Sequence, residues 1–253
     1  MNNKNNIEFS CATTKGSRAT NQDSFYAAGK CSLSDNVFDE KSEGNQITVF
    51  TVCDGIGSLA GSAEAASLTA LATAEIEKGS QDSDLVELLL ESLEKAEVKV
   101  CARSAASGTK IGTTVVSAVI RGKECIVANI GDSPAFLLHD GSLRELSVRH
   151  NLAEEKKRNG IIPFESDKRY LLKAIGVGMS PSEAVHIIRG TLTSGDILLL
   201  CSDGITDAFD LESLKNALET GRSAGSIAEE ASMKSGSDNC TAVIIKYENG
   251  MEE

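Results

Sequence analysis

Three short apolar segments, residues 113–121, 124–130 and 135–139, follow one another with almost nothing between them. The joints are Arg121-Gly122-Lys123 and Gly131-Asp132-Ser133-Pro134, and Asp140-Gly141 closes the third segment. Joints this short fold hairpins, whereas a parallel crossover needs a dozen or more residues. The stretch therefore predicts an antiparallel meander and disfavours a sheet wound from alternating strands and helices.

The rest of the chain fits around that meander. Residues 7–14, 24–31, 46–53, 183–189, 196–201 and 241–247 read as strands from their alternating or β-branched apolar runs. Residues 60–78 are rich in Ala, Leu and Glu and read as a helix. A second helix runs from a cap at Ser83 or Asp84 to about residue 106, with Leu85, Leu88, Leu89, Ser92, Leu93 and Ala96 on one face. That stripe is core. Shorter helices are expected at 151–159, 211–219 and 226–234, a polar loop at 32–44, and a frayed tail at 248–253. Strands and helices come in blocks, so the fold class is α+β, with sheet packed on sheet and helices outside. No linker, repeat or low-complexity tract divides the 253 residues. A single domain, 1–253, with a core from about 7 to 247, is expected.

Charge removes several functions. Lys and Arg number 25 against 37 Asp and Glu, a net charge of -12. A nucleic-acid surface needs clustered cations, and an anionic membrane would repel this chain. Trp is absent, so the core must be mostly aliphatic. The seven cysteines, Cys11, Cys31, Cys53, Cys101, Cys125, Cys201 and Cys240, include no C-x-x-C pair. They are read as buried reduced thiols. Residues 1–6 are polar and lack the apolar stretch of a secretory signal, and no apolar run is long enough to span a bilayer. A cytoplasmic location is the expectation.

Four aspartates share one local design. Asp54 follows the apolar run 48–53 and precedes Gly55. Asp203 follows 197–202 and precedes Gly204. Asp132 sits in Gly-Asp-Ser after 126–130, and Asp238 precedes Asn239 and the apolar 242–245. Hard divalent cations take carboxylate oxygens, and converging carboxylates repel one another unless a cation neutralises them. Asp-Gly after a strand is also a common hairpin turn, so any one of these sites alone serves equally as a turn. Upstream, Arg18 in Arg18-Ala19-Thr20-Asn21-Gln22-Asp23 offers the paired donors that suit a phosphate, and is otherwise a solvated surface arginine.

Taken in order, these segments resemble the metal-dependent protein phosphatases often called type 2C. The matching pieces are Arg18-x-x-Asn21-x-Asp23, Val52-Cys53-Asp54-Gly55-Ile56-Gly57, Gly112-Thr113-Thr114, Ile130-Gly131-Asp132-Ser133-Pro134-Ala135 and Ala174-Ile175-Gly176. The remaining pieces run from Gly195 through Cys201-Ser202-Asp203-Gly204-Ile205-Thr206-Asp207, and from Asp238-Asn239 to Ala242. The resemblance implies a central antiparallel β-sandwich flanked by helices in four α-β-β-α layers. It implies two Mn²⁺ or Mg²⁺ ions bridged by Asp54, with Asp203 and Asp238 completing one site and the Gly55 carbonyl serving the other. Asp132 with Asp203 matches the ligands of a third ion, Asp23 supports the ligands, and Arg18 binds phosphate. The implied reaction is attack of a metal-bridged hydroxide on phosphoserine or phosphothreonine in protein substrates, with a bacterial-type serine/threonine kinase as the natural counterpart; a second enzyme reading keeps the chemistry and takes a dedicated regulator as the substrate. No Cys-x5-Arg loop of the tyrosine phosphatases is present.

The chain departs from the family at four places. Gln22 replaces a glutamate that contacts the second metal through water in some members. Ile56 replaces a histidine proposed as general acid in eukaryotic members. Arg149-His150-Asn151 stands where bacterial members often have Asp-His-Ser, and 152–173 matches the family's flap only loosely. His139, His150 and His186 show no metal-ligand spacing and are read as surface or packing residues. Two alternatives stand beside the phosphatase. A catalytically weak or inactive phosphoprotein-binding pseudophosphatase draws on Gln22 and Arg149, and a two-metal nuclease is disfavoured by the charge.

Overall fold

The structure is a computed structural model and describes residues 6–32, 37–43, 46–56, 61–235 and 238–248. The expectations for residues 1–5, 57–60 and 249–253 lie outside these. Strands β1 (Asn6–Thr14), β2 (Ser24–Ala27), β3 (Lys30–Ser32), β4 (Val37–Glu43) and β5 (Thr48–Cys53) precede helices α1 (Ser62–Ala74) and α2 (Leu85–Ser107). The meander β6 (Val115–Arg121), β7 (Glu124–Ile130), β8 (Ala135–His139) and β9 (Ser142–Glu145) follows. Then come α3 (Leu152–Arg158), α4 (Pro181–Ala184), β10 (His186–Thr191), β11 (Ile197–Cys201), α5 (Asp203–Ala208), α6 (Leu211–Glu219), α7 (Ala224–Ser235) and β12 (Cys240–Glu248).

The strands form two six-stranded sheets, ordered β4-β1-β12-β11-β8-β9 and β10-β7-β6-β5-β2-β3. Every pairing is antiparallel. Strand alternation then sorts side chains into three cores. Phe50, Val52, Leu198, Leu200, Val243 and Ile245 meet between the sheets. Val49 and Cys53, one residue out of phase, face α1 and α2 with Ala66, Leu89 and Leu93. Leu199, Cys201 and Ile244 pack under α5, α6 and α7 with Ile205, Leu214 and Ile227. The order is α-β-β-α, as the sequence predicted. Asp84 caps α2 by accepting from the amides of Val86 and Glu87, and Gly108, at φ 67°, ends that helix. Cys11, Cys53, Cys125, Cys201 and Cys240 are buried, in line with their apolar surroundings.

Several elements differ from expectation. Residues 24–31 are not one strand but the hairpin β2–β3, turned by Ala28 at φ 45° and Gly29 at φ 87°. Ala28 in the left-handed region costs roughly 1 kcal/mol and carries no Asn-Gly signal, so the turn was hidden. The polar stretch 32–44 contains β4, which pairs with β1 at the sheet edge. Its composition is that of a charged edge strand, and Lys30 bridges to Glu40 at 2.8 Å. The strand expected at 183–189 begins only at His186, because Pro181 starts a turn of helix. No helix among the described residues is long and apolar enough to cross a membrane.

Candidate active site

Antiparallel pairing brings the aspartates to one end of the sandwich. Strands β5 and β7 flank β6 and run in the same direction, so Asp54 and Asp132 leave the same edge. On the facing sheet, Cys201 pairs with Ala242, which sets Asp203 after β11 beside Asp238 before β12. Arg18, Gln22, Asp54, Gly55, Asp132, Asp203 and Asp238 all line one cleft of about 520 Å³. Asp23 lies behind it, buried. The structure thus gathers every candidate that the sequence singled out. Of the two readings left open for Asp203-Gly204, the hairpin turn falls, because Asp203 is the first residue of α5.

The loops are fixed by small residues and side-chain locks. The Asp54 amide donates to Thr114 Oγ1 at 3.0 Å, and its carbonyl accepts from the Thr114 amide and the Thr113 hydroxyl, each at 2.8 Å. Gly131 has φ 106°, and a Cβ there would lie 2.7 Å from the Thr114 side chain. Its amide donates to His150 Nδ1 at 3.1 Å, so His150 shapes the loop that carries Asp132. Asn239 ties the arginine segment to the Asp238 strand. Its Oδ1 accepts from the Gln22 amide, and its Nδ2 donates to the Lys15 and Thr20 carbonyls. Asp23 Oδ2 accepts from the Ser202 and Thr241 hydroxyls at 2.8 and 2.6 Å.

The electrostatics are those of a site that cannot hold its charge alone. Burial first, then the carboxylates of Asp23, Asp203, Asp132 and Asp238, push Asp54 well above the ordinary carboxylate range. Burial, with Asp132 and Asp238 next, lifts Asp203 to about 8. Burial lifts Asp23 to about 6 against the hydrogen bonds from Thr241 and Ser202, and raises Asp132 also. Asp23 Oδ1 is buried and meets no donor. Such a group fits a divalent cation, which would reverse each of these shifts. Among the described residues, no three His, Cys, Asp or Glu side chains close a metal cage by themselves. An ion in this open cleft would complete its shell with water and backbone oxygen.

Arg18 donates to Asp238 Oδ2 at 2.9 Å, with the two side chains 47% and 37% exposed. A pair this exposed is worth about 1 kcal/mol or less, so a phosphate can compete for the guanidinium. The cleft also holds Lys168, Arg169 and Asp207, to which the sequence gave no role. Asp207 was within reach, four residues after Asp203 on one helical face. Lys168 and Arg169 lie on a single 3₁₀ turn, Glu165–Arg169, inside the loosely matching flap, where no local signal points to the cleft. Among the described residues no histidine or cysteine lines it. Burial pushes the Cys53 thiol well above its usual value, and Cys201 likewise, so neither is a nucleophile.

A two-sheet sandwich with an aspartate-lined cleft at one end of its strands defines the class of protein. Comparison with known proteins gives the family: the protein phosphatase 2C profile matches residues 26–235, and the chain belongs to that family. It is 32% identical over 145 residues to the serine/threonine phosphatase stp of Listeria welshimeri, across 54% of this chain and 57% of that protein. It is 26% identical over 256 residues to the serine/threonine protein phosphatase PstP of Mycobacterium tuberculosis, across 93% of this chain and 44% of PstP. The matches thus span only about half the length of these relatives. Among solved structures, PstP/Ppp of M. tuberculosis aligns with TM-score 0.81 at 23% identity, covering 96% of this chain and 99% of that one. The PstP catalytic domain in complex with two manganese ions aligns with TM-score 0.80, again at 23% identity and with the same coverage. These two likenesses establish the fold.

Proposed function

We propose that the chain is a Mn²⁺- or Mg²⁺-dependent protein serine/threonine phosphatase that hydrolyses phosphoserine and phosphothreonine in phosphoproteins. One observation carries the proposal: Asp54, Asp132, Asp203 and Asp238 share a cleft with Arg18, and burial first, then neighbouring carboxylates, drives Asp54 and Asp203 toward protonation. The relatives named as serine/threonine phosphatases, and the neighbour solved with two manganese ions, support it.

Asp54 would bridge two ions, Asp203 and Asp238 would complete one site, and the Gly55 carbonyl would serve the other. When bound, the ions would supply an activated water and neutralise charge on the phosphoryl oxygens. The protein's own part is positioning. Arg18 exchanges Asp238 for the phosphate, with two donors suited to its oxygens. Thr113 and Thr114 fix Asp54, and Asn239 fixes the segment that presents Arg18. The phosphorus–oxygen ester bond breaks and water delivers the new oxygen. No protein nucleophile is needed, in keeping with a cleft lined by no cysteine among the described residues. With Ile56 at the edge of the cleft, no imidazole there protonates the leaving alcohol, and water does so. Substrates made by a bacterial-type kinase in the cytoplasm, with no nucleic acid or membrane partner, complete the reading and agree with the -12 charge.

The test is turnover of a phosphothreonine peptide with Mn²⁺ and with EDTA. Activity should require Mn²⁺, and Asp203→Asn and Asp238→Asn should each lower kcat/KM by about 10²-fold or more with the fold intact. A folded wild-type protein with no turnover in Mn²⁺ makes it the pseudophosphatase. Full activity in either variant overturns the ligand assignment.

A further inference from the structure

A second hollow opens beside the aspartate-lined cleft. It measures about 630 Å³, its wall is mostly apolar, and it borders the cleft at Ile56, which lines both. The border is firm. The Ile56 amide donates to the Gly112 carbonyl at 2.9 Å, and Gly112 precedes the Thr113 and Thr114 that fix Asp54. A Cβ on Gly112 would lie 3.4 Å from Ile56 Cδ1 and 3.7 Å from Val177 Cγ1, so these two apolar side chains flank one spot. Helix α2 supplies a further wall with Cys101 and Ala105. The hollow is also built in advance. Glu97, buried on α2, accepts from the Gly176 and Gly178 amides at 2.5 and 2.7 Å and pins the loop that carries Val177. Gly176 has φ 91°, and a Cβ there would lie 2.3 Å from Val100 Cγ1, so the loop lies directly on the helix. Ser104 Oγ accepts from the Ile111 amide at 3.0 Å and holds the segment that leads to Gly112. Val177, fixed in this way, is still 56% exposed.

Alternate side chains of an extended polypeptide face the same way, and a second neighbour lies about 7 Å along. With a phosphorylated side chain pointing into the cleft, that second neighbour faces the same surface and can cross Ile56. We infer that the hollow is a substrate subsite that takes an apolar side chain, two residues from the phosphoserine or phosphothreonine, with Ile56 and Val177 as specificity-determining residues. The inference rests on the phosphatase reading above and adds a sequence preference to it. The shared border selects the occupant, because a polypeptide anchored in the cleft meets both surfaces at once.

Phosphothreonine peptides with Leu or Ser at the second position before or after the phosphoresidue test it. With Mn²⁺, Leu at one of these positions should raise kcat/KM about tenfold over Ser, mainly through KM. Val177→Asp makes the hollow polar and Ala105→Phe fills it, and each should bring that ratio below about twofold. The ratio is taken within each variant, so a general loss of activity does not enter it. Equal turnover of Leu and Ser peptides by the wild type at both positions overturns the inference and leaves the phosphatase reading standing. So does either folded variant that keeps the preference. A wild type without preference that sediments as a dimer, and as a monomer after Val177→Asp, gives the hollow to a second copy of the chain and overturns the inference as well. If the wild type turns over no peptide, the phosphatase reading falls, and the affinities of the same peptides, fluorescently labelled and read by anisotropy, decide the subsite by the same ratio.

Discussion

Gly204→Ala probes the geometry that joins Asp203 to Asp238. Gly204 is the second residue of α5, and a Cβ at this position would lie 2.1 Å from the Asn239 carbonyl oxygen and 3.1 Å from its carbon. Both atoms are backbone, so no side chain can swing away. Restoring ordinary contact at about 3.4 Å requires more than about 1 Å of separation between the Asp203 and Asp238 loops. Two effects oppose each other. Alanine is the better helix residue by about 1 kcal/mol, and overpacking costs about 1–3 kcal/mol. The clash sets the outcome, with a net loss of up to about 2 kcal/mol, or up to roughly 8 °C in Tm for a domain of this size. The larger effect falls on function, since a misplacement of about 1 Å between catalytic groups costs about 10²-fold. The assays are thermal unfolding and Mn²⁺-dependent phosphopeptide turnover. Gly190→Ala in β10 is the control, because its Cβ would meet nothing within 4 Å. The control should be neutral or slightly stabilised. If Gly204→Ala kept its Tm within 1 °C and its turnover within about twofold, the close approach would not be what sets the aspartate spacing.

Two further predictions concern residues that hold the loops of the site in place. Asn239→Ala removes three hydrogen bonds that hold residues 15–22, so the Arg18 segment should loosen and KM for a phosphopeptide rise more than kcat falls, read by steady-state kinetics. An unchanged KM would remove Asn239 from the positioning of Arg18. His150 is buried, and burial with nearby Lys173 and Arg158 holds its pKa down at about 4. Its unfolded value is near 6.5, so between the two the unfolded state binds the extra proton. Stability should therefore be full above pH 6.5 and fall by about 2–3 kcal/mol as the pH drops toward 4. His150→Gln should flatten that part of the urea-unfolding profile between pH 4 and 7, and an unaltered slope would refute it.

The sandwich was legible because its cause is local. The runs at 48–53 and 197–201 place alternate residues on opposite faces, and the structure sends Phe50 and Val52 to one core and Val49 and Cys53 to another. The β2–β3 hairpin was not legible, since Ala28 gives no outward sign of its positive φ. Nor was β4, whose pairing depends on the neighbouring β1 more than on its own composition.

By itself, the sequence determined the antiparallel meander, narrowed the cap of α2 to Ser83 or Asp84, and set carboxylates at strand ends beside glycine or a small polar residue. Short-range sterics and periodicity carry that information. Only the tertiary structure decided that Asp54, Asp132, Asp203 and Asp238 converge, because antiparallel pairing brings distant strand ends to one edge. It alone placed Arg149 against the α5 turn and His150 under the Asp132 loop. Charge and desolvation depend on what lies nearby in space, and separation along the chain does not record that.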